Sequence, residues 1–178
     1  IMRDIGLQNL GAVCNFEWAE PASDSPQDQH AAARYDAIYN RFFAGGLLNG
    51  TYPDLVLEGL EPHMPSNWQD DFSTIQQPID WFGINYYTRS VLKAGNGPWP
   101  HIAKADGPLP KTQMGWEVYP KGLHDFIMRL HREYTKGIPI YITENGMSNA
   151  DEVGKPDQAR IDYLRSHIAA TKQAIDAG

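Results

Sequence analysis

The sequence predicts an α/β fold in which parallel strands alternate with helices. Three segments rich in apolar and β-branched residues are each followed by a segment whose apolar residues recur at helical spacing. One strand is apolar on both faces, which is typical of a parallel strand covered on both sides. Polar side chains follow each strand, where parallel-sheet enzymes collect their working groups. An open doubly wound sheet and part of a (β/α)8 barrel both fit this pattern.

The first strand is predicted over Leu10–Phe16, where the segment LGAVCNF is small and apolar and leads into the polar NFEW. A helix should follow, capped by Ser23 or Asp24 and stopped by the pair Gly45-Gly46. Its apolar stripe consists of Ala31, Tyr35, Ile38 and Phe42.

A short helix over residues 54–60 (DLVLEGL) should precede the second strand, which is predicted over Ile79–Thr88. The stretch from Arg89 to Lys121 then shows no regular pattern and contains many prolines and glycines. A long segment of this kind in a small domain is typical of a functional loop, here over the rim of an active site.

The third unit begins with a helix over residues 121–137, which ends at Gly137. Its predicted apolar stripe is Leu123, Phe126, Ile127, Leu130 and Tyr134. The third strand covers residues 138–143 and a last helix covers residues 156–178. The residues of that helix predicted to face inward are Ile161, Leu164, Ile168 and Ile175.

Composition excludes several classes of function. The 178 residues carry a net charge of −7 without a basic stripe, which argues against nucleic acid and anionic membrane surfaces as partners. A single cysteine, Cys14, excludes an internal disulfide and fits a reducing compartment, and no secretory signal is visible. We therefore expect a cytoplasmic protein without a membrane span, with one domain spanning residues 1–178.

Motifs for metals and common cofactors are missing from the sequence. The six histidines show no HExxH spacing, there is no CxxC, and neither a GxGxxG nor a GxxxxGK[ST] loop occurs. No GxSxG nucleophile elbow is present either. We therefore predict no metal site and no cofactor.

Polar and aromatic residues mark the ends of all three predicted strands. They lie in the segments Asn15–Trp18, Asn85–Tyr87 and Glu144-Asn145. Since parallel strands end at the same edge of a sheet, these groups can converge. Carboxylates and amides form directed hydrogen bonds to sugar hydroxyls, and aromatic rings cover the apolar faces of a sugar. For Glu17 and Trp18, packing or a surface role is a better interpretation than sugar contact.

Four segments together resemble glycoside hydrolase family 1, the β-glucosidase family. They are NLGAVCNFEWAEPAS, DWFGINYYT, MGWEVYPKGL and ITENG, in that order along the chain. The resemblance covers nearly the whole chain and matches it to strands five, six and seven of the family's (β/α)8 barrel. It implies three parallel βα units of a TIM barrel that is incomplete on its own, because such barrels take about 250 residues.

The resemblance also implies a chemistry, the retaining hydrolysis of β-glycosides by two carboxylates. By this resemblance Glu144 is the nucleophile and Tyr87 donates a hydrogen bond to it. Asn85 would bind the sugar that is cleaved off, and Trp116 would form a wall of the leaving-group subsite. The substrate would be a β-glycoside or oligosaccharide.

The sequence departs from the family in one important respect. The acid/base carboxylate belongs to a T-x-N-E-P motif on the fourth strand, and this sequence contains no such motif. We therefore expect the remainder of the same barrel as a partner and an inactive chain without it. Two alternatives stay open: a catalytically inactive fragment with a sugar-binding or structural role, and a 6-phospho-β-glycosidase. The phospho-sugar enzymes tend to carry Ser in place of Asn85 and to lack the Thr143 of TENG, so these two residues favour unphosphorylated substrates.

Overall fold

The computed structural model describes residues 2–150 and 153–178, with a four-stranded sheet at its centre. The strands are β1 (Gly11–Pro21), β2 (Trp81–Ala94), β3 (Ile102–Ala105) and β4 (Ile140–Glu144). β2 lies in the middle and pairs in parallel with β1 on one side and with β4 on the other. β3 pairs antiparallel with the last part of β2. The predicted three parallel βα units are confirmed.

Helices connect these strands. The α-helices are α1 (Pro26–Asp36), α2 (Phe42–Ala44), α3 (Asp54–Leu60), α4 (Phe72–Ile75), α5 (Pro120–Leu130) and α6 (Gln158–Ala177). Single π-helical turns cover Ala37–Arg41, Gly45–Asn49 and His131–Thr135, and 3-10 turns cover Arg3–Ile5, Glu61–His63 and Trp68–Asp71. None of the helices in the two described ranges is both long enough and apolar enough to cross a membrane.

The prediction of an irregular stretch from Arg89 to Lys121 is wrong in its first part. β2 continues to Ala94, and β3 runs back beside it from Ile102, so that the two strands form an antiparallel hairpin at one end of the sheet. The backbone N–H of Gly95 closes this hairpin by donating to the carbonyl of His101 at 2.8 Å. The prolines and glycines of this segment therefore mark a turn between two strands as well as a loop.

The predicted N-cap of the first helix is also wrong. Ser25 caps α1, because its hydroxyl oxygen accepts from the backbone N–H of Asp28 at 3.2 Å. Ser23 instead donates its hydroxyl to the Asp28 side chain at 2.6 Å. The cap therefore lies one residue beyond the predicted candidates.

Gly45 and Gly46 do not stop the first helix, contrary to prediction. Both glycines are buried, and a Cβ on Gly45 would lie only 2.7 Å from the carbonyl oxygen of Thr51. They permit close packing within a helical run that continues over residues 26–49. The run ends at Gly50, whose φ of +64° is the left-handed conformation that glycine adopts most readily.

The core lies between the sheet and α5. On the sheet side it consists of Phe16, Phe82, Ile84 and Tyr86. On the helix side it consists of Leu123, Phe126, Leu130 and Tyr134. The predicted stripe of this helix is thereby confirmed, with Ile127 packed against the cluster. The Phe126 ring stacks on Phe16 at 5.4 Å and meets the edge of Trp18 at 5.4 Å.

The predicted inward face of α6 is wrong. Ile161, Leu164, Ile168 and Ile175 are 37–68% exposed. The residues of α6 that are buried are Tyr163, His167, Ala170 and Ala174. The Tyr163 and His167 rings stack at 3.9 Å, and the two alanines allow α6 to approach its neighbours closely. Small and polar residues thus form the buried face, while the apolar stripe faces outward.

The sheet face opposite the helices is open in the part of the chain that the structure describes. Val13 and Tyr141 on this face are 46% and 54% exposed, and Trp81 packs edge-on against Tyr141 at 5.6 Å. Side chains alternate between the two faces of a strand, so Asn15 and Asn85 also lie on this open face. The candidate site lies next to this face, at the C-terminal end of β4.

Candidate functional site

Glu144 is the last residue of β4, beside the middle of β2. In the pairing of these strands Ile84 lies opposite Ile142, whereas Asn85 lies opposite Glu144. One extra residue, Thr143, is therefore accommodated on β4 at this point, as in a β-bulge. Such irregularities redirect side chains, and here the carboxylate comes to the edge of the sheet next to Asn85.

Tyr87 contacts this carboxylate directly. Its hydroxyl donates a hydrogen bond to Oε2 of Glu144. This bond, together with partial burial and the negative charge of Glu144, raises the pKa of Tyr87 to about 12. The phenol therefore keeps its proton at neutral pH and remains a hydrogen-bond donor to the Glu144 carboxylate.

Asn85 and Trp116 complete the group predicted from the sequence. The Thr143 hydroxyl donates to Oδ1 of Asn85 at 2.6 Å, so Asn85 is fixed to the strand that carries Glu144. The Trp116 ring lies 5.8 Å from the Tyr87 ring, with a tilt of 53° between the planes. With 39% of its surface exposed, this indole is accessible to a ligand. The structure thus places all four predicted residues at one edge of the sheet.

Two further residues fix the strand ends, and the sequence analysis missed their role. The Asn145 amide nitrogen donates to the carbonyl of Tyr86 at 2.8 Å and to the Tyr163 hydroxyl at 3.2 Å. That hydroxyl in turn donates to the carbonyl of Tyr87 at 2.9 Å. Burial raises the pKa of Tyr163 to about 12, so it remains a donor at neutral pH. The sequence analysis assigned no role to Tyr163, because the predicted inward face of α6 did not include this residue.

The sequence analysis also missed a buried ion pair that involves Glu117, the residue after Trp116. The Arg89 Nε–H donates to Oε2 of Glu117 at 2.6 Å, and these two side chains are only 9% and 5% exposed. The backbone N–H of Leu109 donates to the other carboxylate oxygen at 2.7 Å. The signal in the sequence was an acidic residue within the otherwise apolar segment WEVY.

Glu17 and Trp18 do not join the site. Glu17 accepts hydrogen bonds from the hydroxyls of Tyr35, at 2.6 Å, and Ser90. The indole of Trp18 packs against the core and donates to Glu20 at 2.9 Å. Glu17 thus bonds to neighbouring polar side chains and Trp18 packs against the core.

Within residues 2–150 and 153–178, no group of three or more histidine, cysteine, aspartate or glutamate side chains is arranged to hold a metal ion. The donors around Glu144 are a phenol, amides, a hydroxyl and an indole ring. These groups bind hydroxylated organic ligands by hydrogen bonds and stacking.

Comparison with known proteins agrees with this arrangement. The family model described as glycosyl hydrolase family 1 matches residues 4–178. "Beta-glucosidase A" of Thermotoga maritima is 37% identical over 175 residues, which are 95% of this chain and 39% of the relative. "6-phospho-beta-galactosidase" of Lacticaseibacillus rhamnosus is 29% identical over 216 residues, covering 100% of this chain and 46% of the relative.

Among solved structures, the GH1 β-glucosidase of Exiguobacterium antarcticum B7 superimposes with a TM-score of 0.90 at 32% identity. The match covers 99% of this chain and 41% of that one. This chain therefore spans about two fifths of the length of the relatives that it matches. The parallel strands with their helices thus correspond to part of a TIM barrel, and the chain belongs to glycosyl hydrolase family 1.

Proposed function

We propose that this chain supplies the nucleophile side of a retaining β-glucosidase site, with Glu144 as the nucleophile. One observation carries the proposal: the Tyr87 phenol donates to the Glu144 carboxylate at the sheet edge that also presents Asn85 and Trp116. An ionised carboxylate held by a neutral donor is suited to attack on an anomeric carbon.

The proposed reaction has two steps. In the first, a Glu144 oxygen attacks the anomeric carbon while the bond to the leaving-group oxygen breaks, and that oxygen takes a proton from a second carboxylic acid. In the second, water attacks the glycosyl-enzyme ester, gives its proton to the same carboxylate and releases Glu144. In retaining enzymes the two carboxyl groups lie about 5–5.5 Å apart.

Tyr87 would orient the nucleophile. It bonds to Oε2 of Glu144 and leaves Oε1 for the attack on the sugar. A bond to a charged acceptor is stronger than one between neutral groups, so it holds the carboxylate in one orientation. Asn145 and Tyr163 would support this geometry through the backbone carbonyls of β2.

Asn85 and Trp116 would bind the two parts of the substrate. Asn85, fixed by Thr143, would hydrogen-bond to the sugar that becomes attached to Glu144. The exposed indole of Trp116 would stack on the leaving group. Neither step needs a cofactor.

The acid/base would come from the remainder of the same barrel, which we propose as the partner of this chain. Supporting this proposal, the sheet face with Val13 and Tyr141 is open among the described residues. In a (β/α)8 barrel the corresponding face is filled by side chains from the other strands. A cytoplasmic location remains our expectation, supported by the single cysteine.

A 6-phospho-β-glycosidase is the second candidate, because a 6-phospho-β-galactosidase is among the relatives. The contact between Thr143 and Asn85 favours the glucosidase, since both residues belong to the pattern of enzymes for unphosphorylated sugars. A comparison of aryl β-glucoside and aryl 6-phospho-β-glucoside hydrolysis by the complete barrel would decide between them.

The nucleophile can be tested by covalent labelling of the complete barrel with 2-deoxy-2-fluoro-β-glucosyl fluoride. The Glu144 carboxylate should displace fluoride from the anomeric carbon and form an ester that mass spectrometry locates on the peptide with ITENG. The variant Glu144→Gln should take no label, whereas the control Glu20→Gln should label normally.

Absence of a label on the folded, complete protein would contradict the proposal. Two roles would then remain, sugar binding and a structural role. Calorimetry with a β-glucoside would detect the first. A label on a different carboxylate would overturn the assignment of Glu144 alone.

A further inference from the structure

The carboxylate of Glu117 fixes the loop that carries Trp116. Its two oxygens accept from Arg89 and from the Leu109 backbone, so it ties one side of this loop to the other and to β2. The backbone of Glu117 also forms an antiparallel bridge with Lys111. A fully bonded carboxylate that is 5% exposed holds its neighbour in sequence, Trp116, in a defined position.

The anchor of this loop lies on the strand that carries Tyr87. Thr88 and Arg89 follow Tyr87 directly in β2, and the Thr88 hydroxyl donates to the Glu117 carbonyl at 2.8 Å. The guanidinium of Arg89 also stacks on the Tyr119 ring at 4.5 Å. Trp116 is thereby anchored, through its neighbour Glu117, to the residues of β2 that follow Tyr87.

The space for the Glu117 carboxylate is closely fitted. Gly107 lies against it, and a Cβ at this position would overlap the carboxylate atoms. The close approach of the backbone is possible only because residue 107 has no side chain. The loop is therefore built around this carboxylate.

We propose that Glu117, held by Arg89, is a positioning residue for Trp116 and thereby sets the preference for the leaving group. This inference rests on the proposed function. Because Trp116 would contact only the leaving group, the effect is confined to the first chemical step. The hydrolysis of the glycosyl-enzyme ester takes place after the leaving group has left.

The test uses Glu117→Gln in the complete barrel and two substrates. For cellobiose, whose leaving group is a sugar, kcat/KM should fall about tenfold. The amide has an NH2 in place of one acceptor oxygen, so this group would face the N–H donor of either Arg89 or Leu109 and could not accept from it. For 2,4-dinitrophenyl β-glucoside, the good leaving group should make hydrolysis of the ester the slow step, so kcat should stay within about twofold of the original protein.

Glu20→Gln is the matched control. Glu20 lies 3.9 Å from the same guanidinium but belongs to β1, and it accepts a hydrogen bond from the Trp18 indole, so the same loss of charge should change the hydrolysis of neither substrate. Gly107→Ala is the second variant, which displaces the Glu117 carboxylate without a change of charge and should reproduce the selective loss for cellobiose.

An equal loss for both substrates in Glu117→Gln and Gly107→Ala would overturn the proposal, as would no loss for either. A measurement that needs no turnover tests the positioning of Trp116 separately from the proposed function. Acrylamide quenching of Trp116 fluorescence, taken as the difference between each protein and its Trp116→Phe counterpart, should increase in Glu117→Gln and not in Glu20→Gln. Unchanged quenching would also overturn it, even if the original protein hydrolysed neither glucoside.

Discussion

At the scale of single residues, the Tyr87 phenol has the most direct contact with the proposed nucleophile. The hydrogen bond to Glu144 raises the pKa of Tyr87 to about 12, which makes the neutral phenol still more stable at physiological pH. A neutral donor stabilises the carboxylate before attack and keeps its orientation. The hydrogen bond from Tyr87 therefore contributes both to the stability and to the orientation of the carboxylate in the proposed reaction.

The variant Tyr87→Phe should lower kcat/KM for an aryl β-glucoside by roughly 10- to 100-fold in the complete barrel. A bond to a charged group contributes about 1.5–3 kcal/mol, which corresponds to a change of this size. Steady-state kinetics at neutral pH provide the measurement.

Tyr52→Phe is the matched control, because Tyr52 loses the same oxygen within an aromatic cluster of Phe42, Trp68 and Phe72. Its kcat/KM should stay within about twofold of the original value. Full activity of Tyr87→Phe would show that the phenol does not support the nucleophile.

At the scale of secondary-structure elements, Gly122 marks a close approach of α5 to the sheet. Tyr86 is fully buried, and its hydroxyl donates to the Tyr119 carbonyl at 2.7 Å. A Cβ on Gly122 would overlap this hydroxyl and lie 2.8 Å from the Tyr119 ring. The glycine is thus required by the packing of α5 on β2.

Gly122→Ala should therefore destabilise the protein, although alanine favours helices by about 1 kcal/mol. The steric overlap in a closely packed core costs roughly 1–3 kcal/mol, so the free energy of unfolding should fall. Urea denaturation of the complete barrel measures the difference.

The double variant Gly122→Ala/Tyr86→Phe tests the cause. Removal of the hydroxyl makes room for the added methyl group, so the loss from Gly122→Ala should be smaller in the Tyr86→Phe background. Equal losses in both backgrounds would point to a cause other than this overlap.

The elements also show which sequence patterns are reliable. The stripe of α5 was predicted correctly because its buried residues are large and apolar. In α6 the pattern was misleading, because Ala170 and Ala174 are small and His167 is polar, so hydrophobicity favoured the opposite face. The buried His167 forms a hydrogen bond between its Nδ1 and the Tyr163 carbonyl at 2.8 Å, a contact that periodicity cannot predict.

At the scale of the whole molecule, the sheet has one covered and one open face. Val13 and Tyr141 are exposed on the open face. Within the described residues, β1 and β4 each pair only with β2, and β3 pairs only with the last part of β2. Exposed apolar surface and open strand edges favour association with other chains.

We therefore expect the isolated 178-residue chain to lack a stable monomeric fold. Circular dichroism melting should show no single cooperative transition, and sedimentation velocity should show association. A cooperative transition in a monomer would contradict this expectation. The complete barrel serves as the control and should melt cooperatively.

The candidate site was predictable from the sequence only in part. Glu144, Tyr87, Asn85 and Trp116 occur in recognisable motifs, and parallel strands bring their ends to one edge. The supporting contacts were not predictable, because Asn145 with Tyr163 and Glu117 with Arg89 join residues far apart in the sequence. Their pairing depends on the packing of loops and helices, which local patterns do not encode.

The fourteen residues of β2 unite three tasks in one uninterrupted ribbon. Phe82 and Ile84 fill the core, Asn85 and Tyr87 lie at the candidate site, and Thr88 and Arg89 bind the neighbouring loop. Because alternate side chains point to opposite faces, slippage by a single position would exchange all inward and outward groups together. Insertions should therefore be tolerated in the hairpin tip beyond Ala94, but scarcely any change of length should be tolerated within the strand itself.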